Sequence, residues 1–216
     1  MAFSVDAIRQ KLERWTHTDL KYLSEGSFWL ILTQIITVLS GLASSSLFAR
    51  LVAPDQYGTY RYLLSIYGFL VIFTLPGIRT AMTRSISQGQ GQALFFGIKT
   101  QMKAALFGSF IALGMAGWYA FHQNSLLASG LGLIAIFLPF TDTLDISSFF
   151  QGKRAFRSLF FYTSSITLTS LCAALLGIAL GGKPLILLGL FLGGIAFVRG
   201  CIVIYVRRHA SSKGPI

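Results

Sequence analysis

SFWLILTQIITVLSGLASSSLFA, residues 27–49, runs for about 23 residues without a charged side chain, and RLVAPDQYGTYR follows at 50–61. At ~1.5 Å of rise per residue, a run of this length crosses the ~30 Å hydrocarbon core of a bilayer as one helix. The short polar turn after it, with an arginine at each end, returns the chain to the membrane. Five further apolar stretches follow, at roughly 62–78, 104–121, 126–150, 156–180 and 185–206. The pattern predicts an all-α integral membrane protein, a bundle of six transmembrane helices.

Composition agrees with lipid as the solvent. Of 216 residues 54% are hydrophobic and 12% charged, and the mean hydropathy is +0.67. A soluble domain needs more polar surface than this. The net charge of +11 would suggest nucleic acid on a soluble domain. Here the charge lies in membrane-flanking connections, and no nucleic-acid partner is expected. Of the 18 Lys and Arg residues, 15 fall in the leader, the second and fourth connections and the C-terminal tail, Arg199 being counted with the tail; Arg50, Arg61 and Lys183 fall on the opposite side. Basic residues in short loops gather on the cytoplasmic side. Both termini are therefore expected inside, which requires an even number of crossings, and six satisfies it.

The expected organisation is an amphipathic cytoplasmic leader at 1–26, a six-span transmembrane lobe at 27–206 and a basic cytoplasmic tail at 207–216. In the leader, Val5, Ile8, Leu12 and Trp15 recur at helical spacing with Arg9, Lys11 and Arg14 between them, as an interfacial helix requires. The first apolar run is too long and starts too late for a cleavable signal peptide. Cys172 and Cys201 lie inside apolar stretches and read as small buried hydrophobes. His17, His122 and His209 show no ligand spacing, so no metal and no cofactor is expected. Helices in lipid approach closely through small residues. Ala104, Gly108, Ala112 and Ala116 in the third stretch, and Gly41 and Ser45 in the first, are expected packing faces.

The sharpest polar features are Asp142 and Asp145, near the end of the fourth stretch. Their spacing of three places both on one face of a continuous helix, and acids at that depth face a bundle interior or water. Two readings compete. One is a charged group in a transport cavity, taking up a proton or cation. The other is a structural pair with Arg79, Arg84, Arg154 or Arg157. Pro76 and Pro139 interrupt the second and fourth stretches, and each frees a carbonyl four residues back, at Ile72 and Ala135. Gly77 follows Pro76 directly, which makes that point the softer hinge. Arg50, Arg61, Arg79 and Arg84 could line a basic path for an anionic headgroup, since the guanidinium fork holds two phosphate oxygens; at span ends the same residues anchor the helix in the interface. No catalytic constellation is present, and the chain is not expected to be an enzyme.

ARLVAPDQYGTYRYLLSIYGFL, residues 49–70, resembles the first turn and second span of the polysaccharide biosynthesis (O-antigen and repeat-unit flippase) family, within the superfamily that includes multidrug and toxin extrusion transporters and lipid II flippases. Ala49, Arg50, Pro54, Tyr57, Gly58 and Tyr60 carry the likeness. LPGIRTAMTRSIS, residues 75–87, and SFFQGKRAFRSLFFYT, residues 148–163, are similar to the family's second-span end and fourth loop.

The resemblance implies alternating-access movement of undecaprenyl-pyrophosphate-linked sugar units from the inner to the outer leaflet of the bacterial inner membrane, between two six-helix lobes around a polar cavity. By chemistry, Arg79 and Asp142 are the cavity candidates. Family members carry about 12 to 14 spans, and this sequence matches the N-terminal lobe. It is expected to dimerise, to pair with a second six-span lobe, or to be a truncated product; the polar tail RRHASSKGPI at 207–216 suits a self-contained unit. The rival readings are a scaffold in a polysaccharide assembly complex and a cation-coupled drug exporter half.

Overall fold

The computed structural model describes residues 20–212, with side chains for 26–206. The predicted leader helix, through Trp15, lies outside the described residues. Every regular element among the described residues is helical: α1 (Leu20–Leu51), α2 (Pro54–Leu70), a 3-10 turn (Val71–Thr74), α3 (Ile78–Ser87), α4 (Ala93–Phe121), α5 (Ser125–Thr141), α6 (Ser147–Gly152), α7 (Phe156–Ala179) and α8 (Pro184–Ser212).

Four helical segments are long and apolar enough to cross a membrane: Gly26–Leu51, Ala93–Phe121, Phe156–Ala179 and Pro184–Val206. The pair Pro54–Thr74 and Ile78–Ser87, bent by 50°, makes a fifth. The remaining apolar segment, α5, has 17 residues and so spans about 26 Å, short of the hydrocarbon core. The chain is thus a multi-pass helical membrane protein with four or five full crossings by length and composition. The fourth stretch is not the continuous helix expected over 126–150. It stops at Thr141, runs through turns at 142–146, and resumes as the six-residue α6.

Local sequence explains where the helices start and stop. Pro54 opens α2 from an extended Ala53 (ψ 140°), with Asp55 in the first turn, and proline there gives up only a donor that would have no partner. Asn124 caps α5 by accepting from Leu127 N at 3.2 Å. At the end of α7, Gly182 N donates to Gly177 O (2.9 Å) and Gly181 N to Ile178 O (3.0 Å). The two glycines hold φ of 65° and 100°, as this paired C-terminal motif requires. The Tyr57-Gly58-Thr59-Tyr60 stretch closes the α1–α2 turn: Tyr57 and Tyr60 both stack on Phe48, centroids 5.3 and 5.4 Å away.

Packing separates into two apolar cores with no residue in common. The upper core centres on Leu63, Leu70, Leu131, Ile134, Leu138, Leu187, Leu188 and Leu192. The lower core centres on Met82, Ile86, Leu94, Ile146, Leu159 and Tyr162. Of the expected small-residue faces, the α4 face is used: Ala112 is fully buried and Gly108 lies against Leu138, Phe73 and the Leu70 carbonyl. The α1 face is not. A Cβ added at Gly41 would meet nothing within 4 Å and Ser45 is exposed, because α1 docks through Trp29 on Phe160 and Gly26 on Phe156 instead. Cys172 and Cys201 are also exposed rather than buried; on a lipid-facing surface a small apolar side chain loses nothing by this.

Gly152, in the QGK stretch, lets α6 approach α3: an added Cβ would sit 2.8 Å from Ile86 Cβ and 2.9 Å from the Thr83 carbonyl oxygen. The second of these is backbone and cannot rotate away. Gly152→Leu is therefore expected to lower stability by about 1–3 kcal/mol through overpacking. Gly114→Leu, which meets nothing within 4 Å, should change it by no more than about 0.5 kcal/mol. Unfolding of both variants in detergent titrations checks the contrast.

Candidate functional site: a charged layer between two broken helices

Inside a bilayer no water is available to satisfy the free carbonyls at a helix end, so the protein must supply donors. The end of α5 shows how this chain does it. Pro139 O accepts from the Thr143 hydroxyl, Thr141 O from Arg199 Nη1, and Asp142 O from Arg79 Nη2 at 3.0 Å. Two guanidinium groups and a hydroxyl thus cap the interrupted helix, and the positive charge suits the negative end of its dipole.

Two carboxylates neutralise the two arginines. Arg79 Nη2 lies 2.8 Å from Asp142 Oδ1, and Arg79 Nη1 3.2 Å from Asp145 Oδ2. Arg199 Nη2 approaches the same Asp145 oxygen at 3.7 Å. The Thr74 hydroxyl, fully buried, donates to Asp142 Oδ2 at 2.5 Å and lies 2.7 Å from Val71 O. Asp145 Oδ1 accepts from Ser147 N (2.9 Å), at the start of α6, and from Tyr162 OH (3.1 Å). Tyr67 OH donates to Thr141 Oγ1 at 2.9 Å. Buried charges persist when paired and hydrogen-bonded on their remaining sites, and both acids meet that condition.

The second break faces the first. Leu75 adopts a left-handed conformation (φ 54°, ψ 62°), which a non-glycine residue holds only at a cost of roughly 1–2 kcal/mol. Gly77, expected to be the softer hinge, has an ordinary right-handed helical conformation (φ −60°); the reversal falls on Leu75. The Ile72 carbonyl that Pro76 was expected to free is taken by Leu75 N at 3.2 Å, through the 3-10 turn. Leu75 O accepts from Ile78 N (3.0 Å) and, at 3.4 Å, from Nε2 of the fully buried Gln101.

The structure therefore joins Arg79, Asp142 and Asp145 from the sequence candidates, with Pro76 and Pro139 beside the two breaks. The acids do not share a helix face, as their spacing suggested; they meet because the chain leaves the helix at 142. Arg84, Arg50 and Arg61 are exposed, with Arg61 over the Tyr57 ring at 5.5 Å, and they do not join Arg79 in a path. Asp145 pairs with Arg79, one of the four arginines expected, and with Arg199, which was not among them. Arg199 does not belong with the tail, where the charge count put it. It sits within α8, between Leu192 and Ile202 of the two cores, and an arginine inside an apolar stretch is itself the signal of a buried partner. Thr74, Tyr67 and Tyr162 carry no comparable signal. Among the described residues no three His, Cys, Asp or Glu side chains converge as a metal site.

Bent and interrupted helices around a layer of paired charges make this a multi-pass membrane protein with broken apolar stretches. A family model for polysaccharide biosynthesis proteins matches residues 23–213. The chain belongs to that family. No curated protein and no solved structure matches it.

Truncating one member of a buried pair leaves the other charge uncompensated, at about 3–5 kcal/mol. A double-mutant cycle of Arg79→Met with Asp142→Leu is expected to give a coupling of about 1–3 kcal/mol. Arg199→Met with Asp145→Leu should give a smaller one, in keeping with the 3.7 Å separation. Detergent unfolding of the single and double variants measures both.

Proposed function

We propose that this chain is one lobe of a flippase that moves undecaprenyl-pyrophosphate-linked oligosaccharide across the bacterial inner membrane for cell-surface polysaccharide synthesis. The family match over residues 23–213 carries this reading. The interrupted second and fourth stretches support it, since irregular backbone at membrane depth accompanies moving, cavity-lining elements. The chain makes and breaks no covalent bonds in this account. The distribution of basic residues supports both termini inside and so an even number of crossings; with the interrupted α5–α6 segment as a further crossing beside the four or five long ones, that number is six. A second copy, or a separately encoded six-span lobe, completes the cavity.

The anionic pyrophosphate calls for guanidinium groups. Arg79 is the candidate nearest the breaks, and Arg50, Arg61 and Arg84, being exposed, are free to meet a headgroup in the assembled cavity. The pairing of both acids with arginines weighs against a cation-coupled drug exporter, in which Asp142 would cycle between charged and neutral forms. It is compatible with a scaffold that organises a polysaccharide assembly complex.

The test is the protein mass of the chain in mild detergent, followed by translocation of a fluorescent pyrophosphate-linked oligosaccharide in vesicles. A mass near twice 23.6 kDa, with translocation that falls at least about tenfold in Asp142→Asn at equal expression, is the expected result. A monomer that moves no lipid, even when supplied with a second six-span lobe, would establish the scaffold instead.

A further inference from the structure

Each chain segment that enters both cores changes membership once, and four of the five changes bracket a residue of the charged layer; α7 carries none there and meets the layer through Tyr162 of the lower core, which donates to Asp145. The second stretch passes from Phe73 in the upper core to Ile78 in the lower, and the fourth from Leu138 to Ile146. Along α4, α7 and α8 the change falls between Ile111 and Ile98, between Ala174 and Ile166, and between Leu192 and Ile202. Between the cores lie Thr74, Arg79, Gln101, Thr141, Asp142, Asp145 and Arg199. Apolar contact, the non-directional part of the packing, is thus divided into two bodies. What crosses the division is a set of directional, charge-assisted bonds and four continuous helices, α4, α7, α8 and α1, whose Gly26 lies against Phe156 of the lower core and whose Phe48 belongs to the upper.

We propose that this layer is a hinge plane, and that the lower core, carrying α3 and α6 as one body, tilts against the upper core. Three observations carry the proposal. First, α3 and α6 are locked to each other by the close approach at Gly152, whose added Cβ would clash with Ile86 and the Thr83 carbonyl, so they move together. Second, both are cut from their upper halves at the same level: α3 by the left-handed Leu75 and Pro76, α6 by the turns at 142–146. Third, the bonds that span the cut can exchange. Arg79 reaches both carboxylates, Asp145 is shared by two guanidinium groups, and Nε of Arg79 and of Arg199 are buried without a partner. A tilt can therefore trade one pairing for another without stranding a charge. Of the four charged side chains Arg79 is the most open, at 27% against 10–15% for the others, so exchange starts there. Close-packed cores switch between discrete arrangements and do not deform continuously, which makes a plane of exchangeable bonds the place where this chain changes shape. The inference concerns the chain alone and does not depend on what it transports.

Spin-label distances on the full chain in lipid nanodiscs, with Cys172 and Cys201 replaced by Ala, test it. One label pair, at the exposed Ser87 of α3 and Ser158 of α7, lies within the lower body. The other, at Ser87 and the exposed Leu113 of α4, spans the layer. In Arg79→Gln the Ser87–Leu113 distribution is expected to gain a second population, while Ser87–Ser158 stays single and narrow. Thr74→Val, which removes the hydroxyl's bonds to Asp142 and to Val71 O but leaves all four charges in place, should do the same to a smaller extent. A folded variant with an unchanged Ser87–Leu113 distribution overturns the proposal, as does broadening of both distributions together. Loss of native helicity in both variants would also overturn it, because the layer would then be rigid cement for the fold.

Discussion

The structure depends on a constraint that lipid imposes: a helix that stops inside the membrane must have its last carbonyls satisfied by protein. Arg79 meets that constraint for α5 from another crossing, 63 residues away in sequence. The same guanidinium bridges both acids of the interrupted segment. Arg199 repeats the arrangement from α8. Two arginines and two aspartates give a layer with no formal charge, so the buried cost of each ion is offset by its partner.

This layer connects local sequence to architecture. Pro76 and the left-handed Leu75 break the second stretch, and a run rich in threonine and aspartate, TDTLD at 141–145, breaks the fourth. Short polar side chains of this kind compete with the helix by bonding nearby backbone, as Thr143 does to Pro139 O and Asp145 to Ser147 N. Each break would be costly alone. Placed at one level, each supplies what the other lacks: the α3 side brings a guanidinium and the α5 side brings carboxylates and free carbonyls.

The helical membrane class, the family and most element positions are legible in the sequence, because runs of apolar residues and Gly-Pro punctuation act locally. Asp142, Asp145, Arg79 and the two prolines can be singled out for the same reason: each is out of place in an apolar stretch. Their geometry is not legible. Spacing of three suggests a shared helix face, whereas the helix ends at Thr141, and a helix end depends on distant partners that spacing cannot show. Arg199 is legible by the same rule as the aspartates, since it lies inside the apolar stretch at 185–206 and not beyond its end; counting it with the tail overlooks that signal. Thr74 and Gln101 cannot be distinguished from other buried small or polar residues, since only tertiary contacts give them a role.

The central claim is that one network holds both breaks. Hydrogen–deuterium exchange of the chain in nanodiscs, comparing the parent with Arg79→Met, tests it most directly. Amides at 74–80 and at 141–147 should lose protection together, although the substitution lies in only one of these segments, while the part of α4 packed in the upper core keeps its protection. Loss of protection confined to the segment around residue 79, with 141–147 unchanged, would contradict the account.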